Sequence, residues 1–445
     1  MMNRLKETLT VLLICFPFLN NAQSAADVVR KVQELMLENY IFLDKAKETN
    51  AHLDSLLAAN FFEDFDHPPK FAQALSVEMQ KITKDKHLNI VPPPPPPHPN
   101  EENEELDFIT RHLRNMERFR NGGFGNIDLL AGNVGYVELK GFRREDIPKV
   151  DAVMEYFSTA DAIIIDLREN GGGNSLGLYW SSYFLKKGVG LSGKYERRTD
   201  SYSELLTVTV KGQKRLEIPL FILTSDFTFS AAEAFAYDLQ SRKRAVIVGE
   251  NTGGGAHPVN FMPIAQGYGI LMPYARSINP ITESNWEGIG VTPDIPTTSE
   301  DAFEKARKLA QDAAKSYREE PFNKLKALLA KNKITEEEEA MVYDLFKLLL
   351  RRKHLEDFMI NHMGYFYLDN QKMHSAFIIF KTNLRLFPDS PNAHDSFAEF
   401  LALQGKKDEA LNHYQQAVTL AKAQDDEQQE MYKRNLLEFE SKINR

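Results

Sequence analysis

The chain has a single cysteine among its 445 residues, Cys15, and it lies inside the first 22 residues. Removal of that segment would leave no thiol, which excludes disulfides and cysteine nucleophiles. Positive charge is also scarce. Lys and Arg number 54 against 63 Asp and Glu, for a net charge of −9, and no basic stripe appears. Nucleic acid is therefore not an expected partner. No apolar run is long enough for a stable bilayer span. No His-Glu-x-x-His or cysteine pattern occurs, so no metal is expected. The triple glycine Gly171-Gly172-Gly173 lacks a following Lys-Ser or Lys-Thr and has the wrong spacing for a dinucleotide site. No cofactor is expected either.

What is present is an ordinary globular balance, 42% hydrophobic and 26% charged, in a chain long enough for two or three domains. Residues 1–22 read as a secretory signal peptide: Arg4 and Lys6, the apolar segment Leu9 to Leu19, then Ala22 at the cut. Export to a periplasm or the extracellular space follows. Residues 25–90 are expected to form a helical bundle that ends in a short strand, with Val28, Val29, Val32, Leu35, Met36 and Tyr40 on one apolar face. Residues 91–131 carry Pro92–Pro97 and then mixed charges, which suggests a spacer. Strands and helices alternate over 132–300, the signature of an α/β layer with a largely parallel sheet. Residues 301–356 read as a helical connector. Over 357–445, Tyr367, Ala376, Phe380 and Leu386 recur 34 positions later as Leu401, Ala410, Tyr414 and Leu420. That period resembles tetratricopeptide repeats, which can offer a groove to a protein partner or simply pack.

Chemistry concentrates at Ser230. The apolar run Leu220-Phe221-Ile222-Leu223 suits a buried strand, and Ala231 to Leu239 suits a helix, so Ser230 falls on the turn between them. Backbone N–H groups at a helix start lack partners and favour negative charge, so an oxyanion could form beside the hydroxyl. The plainer reading is an N-cap, because Glu233 three positions on completes a capping box. Gly171-Gly172-Gly173 follows another buried strand, Ala162 to Leu167, and can bring a bare backbone close to a ligand.

Taken with Gly135-Tyr136-Val137, Asp166-Leu167-Arg168, Val248-Gly249-Glu250 and Trp286-Glu287-Gly288-Ile289-Gly290-Val291-Thr292-Pro293-Asp294, these segments resemble one superfamily. It holds the C-terminal processing (tail-specific) serine peptidases, the tricorn core peptidase and the interphotoreceptor retinoid-binding protein modules. The resemblance covers about residues 25–300 and implies a crotonase-like (ClpP-like) layered core acting on peptides or proteins. Tail-specific members place a lysine 25 positions after the serine, but here that position is Gly255. The tricorn-like pattern implies His87 as base and Glu287 as its orienting carboxylate, with the amides of Gly172 (or Gly171) and Ala231 as oxyanion donors. His257, two residues beyond Gly255, is the rival base. A non-catalytic binder of apolar ligands or peptides on the same scaffold is the alternative function.

Overall fold

The computed structural model describes residues 18–63, 65, 67–94 and 121–443. Most of the predicted signal segment and most of the proline-rich and charged stretch lie outside the described residues. The chain divides into two compact units. The first holds 1–130, 134–158 and 163–310, and the second holds 131–133, 159–162 and 311–445.

The first unit opens with three helices, α1 (Phe18–Asn39), α2 (Leu43–Ala58) and α3 (Pro68–Thr83). Their apolar faces close on one another through Val28, Val32, Met36, Leu53, Phe71 and Met79. Lys84, with φ 59°, ends α3 in the left-handed region, and the chain then turns through Asp85 to His87 into β1 (Asn89–Val91). Strand β2 (Phe124–Leu130) pairs antiparallel with β3 (Val134–Leu139). The α/β core therefore begins at Phe124, eight residues before the predicted boundary. This edge strand is mostly exposed beyond Phe124, so its sequence lacks the apolar run that marks the buried strands.

Helix α4 (Ile147–Tyr156) leads to β4 (Ala162–Asp166), then come α5 (Leu176–Phe184), the hairpin β5 (Gly190–Glu196) and β6 (Ser201–Leu206), and β7 (Leu220–Thr224). The Ser230 turn joins β7 to α6 (Ala231–Ser241), followed by β8 (Val246–Gly249), β9 (Val259–Pro263), β10 (Gly269–Pro273), β11 (Ala275–Ile278) and β12 (Ile295–Pro296). The main sheet has the order β12-β8-β7-β4-β3-β2, and β4, β7, β8 and β12 run parallel. Every residue of β4 and β7 is buried, as expected of parallel strands covered on both faces. The C-terminal ends of β4, β7 and β8 thus converge at one edge, where such sheets bind ligands. A smaller sheet, β1-β10-β9, pairs Ile90 with Ile270 and fixes the segment that carries His87 to the core.

Helix α7 (Ser299–Leu329) runs from the first unit into the second. There α8 (Glu336–Arg351) precedes α9 (Asp357–Asp369), α10 (Met373–Leu386), α11 (Pro391–Leu403), α12 (Lys407–Ala423) and α13 (Gln429–Ile443). Helices α11 and α12 begin 34 residues after α9 and α10, matching the period of the apolar pattern. Ala376, Phe380, Leu401, Ala410 and Tyr414 meet in one core. The chain is thus a mixed α/β protein with helical regions at both ends.

Candidate active site

Two loops meet beneath Ser230. After β7, Ser225 Oγ donates to Arg168 O at 2.5 Å and Thr228 Oγ1 to Leu167 O at 2.8 Å, which ties this turn to the glycine loop after β4. Phe229 N–H donates to Asn170 O at 3.1 Å. Held this way, Ser230 adopts φ 55° and ψ −118°, a conformation that L-residues rarely take and that clusters at functional sites. Its N–H donates to Glu233 at 2.8 Å, and the predicted capping box between Ser230 and Glu233 is present. The hydroxyl has a second neighbour.

It meets His87, whose Nε2 lies 3.0 Å from Ser230 Oγ. The His87 ring packs on Phe229 with centroids 4.6 Å apart, and its backbone N–H donates to Asp85 Oδ1 at 3.0 Å. Burial pushes the His87 pKa below its ordinary value, keeping the imidazole neutral and basic near pH 7. The vacancy at the lysine position has a steric counterpart. A Cβ on Gly255 would stand 2.2 Å from the Phe229 ring and 2.6 Å from His87 Cε1. His87 occupies the space that a side chain at 255 would need.

His257 does not reach the serine by any hydrogen bond. Its Nδ1 lies 2.6 Å from Asp85 Oδ2 and 3.6 Å from Glu287 Oε2. Burial, the largest single influence, works against its charge, but the hydrogen bond and charge of Asp85 together with the charge of Glu287 outweigh it and raise its pKa. Asp85, given no role from sequence, thus links both histidines, and Tyr40 Oη donates to it at 3.3 Å. A Asp-x-His spacing that ties carboxylate to backbone was the available signal.

Glu287 lies in the same cluster without a direct bond to His87. One ligating atom from each of Asp85, His87 and Glu287 lies within 4.8 Å of the others. Ala256 N–H donates to Glu287 Oε2 at 2.5 Å, while Glu287 Oε1 and His87 Nδ1 are both buried without a hydrogen-bond partner, the latter 4.0 Å from Asp85 Oδ1. Burial, with Asp85 close by, pushes the Glu287 carboxyl up to about 7. The three residues offer atoms at ligand spacing, but His87 Nε2 is already engaged by Ser230.

The oxyanion assignment needs a correction at Gly172. Its N–H donates to Asn170 Oδ1 at 2.9 Å, and Asn170 is itself fixed by Nδ2 donating to Leu139 O at 2.9 Å. Gly172 instead serves by having no side chain, since a Cβ there would lie 2.8 Å from Ser230 Cβ. The Ala231 and Gly173 amides make no hydrogen bond within the described residues, and both line the cavity that opens beside Ser230. Sequence reasoning missed Asn170, because nothing local announces that its side chain takes up a neighbouring amide.

Residues 133–297 match the model for peptidase family S41, and residues 19–119 match that for the N-terminal domain of this family in eukaryotic IRBP. The chain is 29% identical over 174 residues to carboxyl-terminal-processing peptidase 2, chloroplastic, of Arabidopsis thaliana, covering 37% of this chain and 32% of that protein. It is 31% identical over 128 residues to the tail-specific protease of Haemophilus influenzae, covering 27% of this chain and 17% of that one. The photosystem II D1 C-terminal processing protease structure aligns with a TM-score of 0.43 at 17% identity, over 65% of this chain and 98% of that one. The chain matches a third or less of the length of these two curated relatives. Through its α/β core, with a matching N-terminal segment, it belongs to peptidase family S41.

Proposed function

We propose that the chain is an exported serine peptidase that cleaves peptide bonds through an acyl-enzyme, using Ser230, His87 and Glu287 in place of a serine–lysine pair. The observation that carries this reading is the 3.0 Å contact of Ser230 Oγ with His87 Nε2 on a turn that holds the serine in a rare conformation. His87 Nε2 takes the Oγ proton as Oγ bonds to the substrate carbonyl carbon, and the Ala231 and Gly173 amides face the resulting oxyanion. The proton passes to the leaving nitrogen as the C–N bond breaks. Water then attacks the ester, gives a proton to His87, and Oγ leaves with that proton returned.

We read Glu287 as the orienting carboxylate because its Oε1 has no hydrogen bond to keep, whereas Asp85, with Oδ1 4.0 Å from His87 Nδ1, already accepts from the His87 backbone, His257 and Tyr40. The core is read as crotonase-like. The 34-residue offset supports two tetratricopeptide-type units over α9–α12. No helix among the described residues is long and apolar enough to cross a membrane. Export rests on the charged and apolar start of the chain.

A base and nucleophile that act as one unit give equal losses singly and together. On a peptide ester, Ser230→Ala, His87→Ala and the double variant should fall to one common residual rate, roughly 10³-fold or more below the parent. His257→Ala should do less harm. Abolition by His257→Ala with His87→Ala near normal would reverse the choice of base. An unchanged Ser230→Ala would replace the peptidase with the alternative binding module.

A further inference from the structure

The cavity beside Ser230, about 360 Å³, extends from the Ala231 and Gly173 amides to a wall of α5, α6 and β5. Leu178, Leu191, Phe235 and Trp286 make it largely apolar. Among its polar lining residues, Asp238 and Ser181 stand out. Asp238 is 5% exposed, and all the hydrogen bonds to its carboxylate fall on one oxygen. Oδ1 accepts from Ser192 N–H at 2.9 Å, Ser192 Oγ at 2.8 Å and Asn279 Nδ2 at 2.9 Å. No described residue donates to Oδ2. Ser181 Oγ is also buried without a partner. Fixing a carboxylate by three donors on one oxygen costs desolvation that a packed apolar wall would avoid.

We propose that this cavity receives the substrate side chain on the acyl side of the cleaved bond and that Asp238 selects tyrosine there. The inference rests on the peptidase reading of Ser230. An aromatic ring suits the apolar walls, and a phenol can both donate to Asp238 Oδ2 and accept from Ser181 Oγ. Lysine is disfavoured because cations already stand near. Arg242 Nη1 lies 3.7 Å from Asp238 Oδ1, and Lys194 lines the same cavity. Phenylalanine would fill the space but leave both polar groups unpaired, the situation in which a site discriminates best.

The test compares kcat/KM for two matched peptide amides that differ only in tyrosine or phenylalanine at that position, with a lysine peptide as third. The expected tyrosine-to-phenylalanine ratio is roughly ten- to a hundredfold, the size of one hydrogen bond to a charged group. In Asp238→Asn it should fall to near one, and in Ser181→Ala part of the way. Ser230-dependent cleavage with a parent ratio near one, or with lysine preferred, overturns the selection while leaving the peptidase reading intact. Should no Ser230-dependent cleavage occur, calorimetric binding of N-acetyl-tyrosinamide and N-acetyl-phenylalaninamide to the parent protein decides the pocket separately. Tenfold tighter tyrosine binding supports it, and equal affinities overturn it.

Discussion

At the scale of single residues, the site turns on what Gly255 and Glu287 permit. Alanine at 255 would push its methyl into Phe229 and His87, so Gly255→Ala should lose at least tenfold in kcat through a displaced base, with KM moved less. Glu287 supplies a pH signature. Its carboxyl ionises near 7, whereas burial holds the His87 imidazole below its usual 6.5. The acid limb of kcat/KM should therefore lie near 7 in the parent and move below 6.5 in Glu287→Gln, at a reduced plateau. A limb that stays put in that variant removes Glu287 from the mechanism. The same shift has a sign for folding. A carboxyl raised from 4.5 to about 7 favours the fold at low pH, and that contribution is lost as pH rises toward and past 7. The melting temperature of the parent relative to Glu287→Gln should thus drop between pH 5 and pH 8.

At the scale of elements, the start of α6 is held by one buried carboxylate. Glu233 accepts from the amides of Ser230, Gly254 and Gly255 at 2.7–2.8 Å and from the Thr252 hydroxyl. Burial raises its pKa, and these donors partly offset that. Glu233→Gln keeps the shape but turns an NH₂ toward donors, so urea unfolding should show a loss of about 2–3 kcal/mol. How much of this was legible depends on the reach of each contact. The β7–turn–α6 order and the Ser230 position follow from neighbouring residues, and so does the capping role of Glu233. The Gly172 amide was misread because Asn170 competes for it through a side chain that propensity does not describe. Asp85 and Asp238 were given no role, since their partners His257 and Ser192 lie 172 and 46 positions away. Strand β2 was missed because it is an edge with polar exposure, where alternation carries little burial signal.

At the scale of the whole molecule, the buried residues of α1 among those described begin at Val28. Cleavage after Ala22 therefore removes no described core contact. Exported protein should show a new N-terminus close to Gln23 by mass spectrometry, and a chain beginning there should match the full chain within about 0.5 kcal/mol in stability. Recovery of Met1 in the exported form refutes the signal segment. The antiparallel register of Asn89 with Leu271 has a consequence in time. His87 leaves the ribosome long before the strand that anchors its segment. On the proposed mechanism, a chain whose β1 and β10 have not yet paired lacks the His87–Ser230 contact and does not cut.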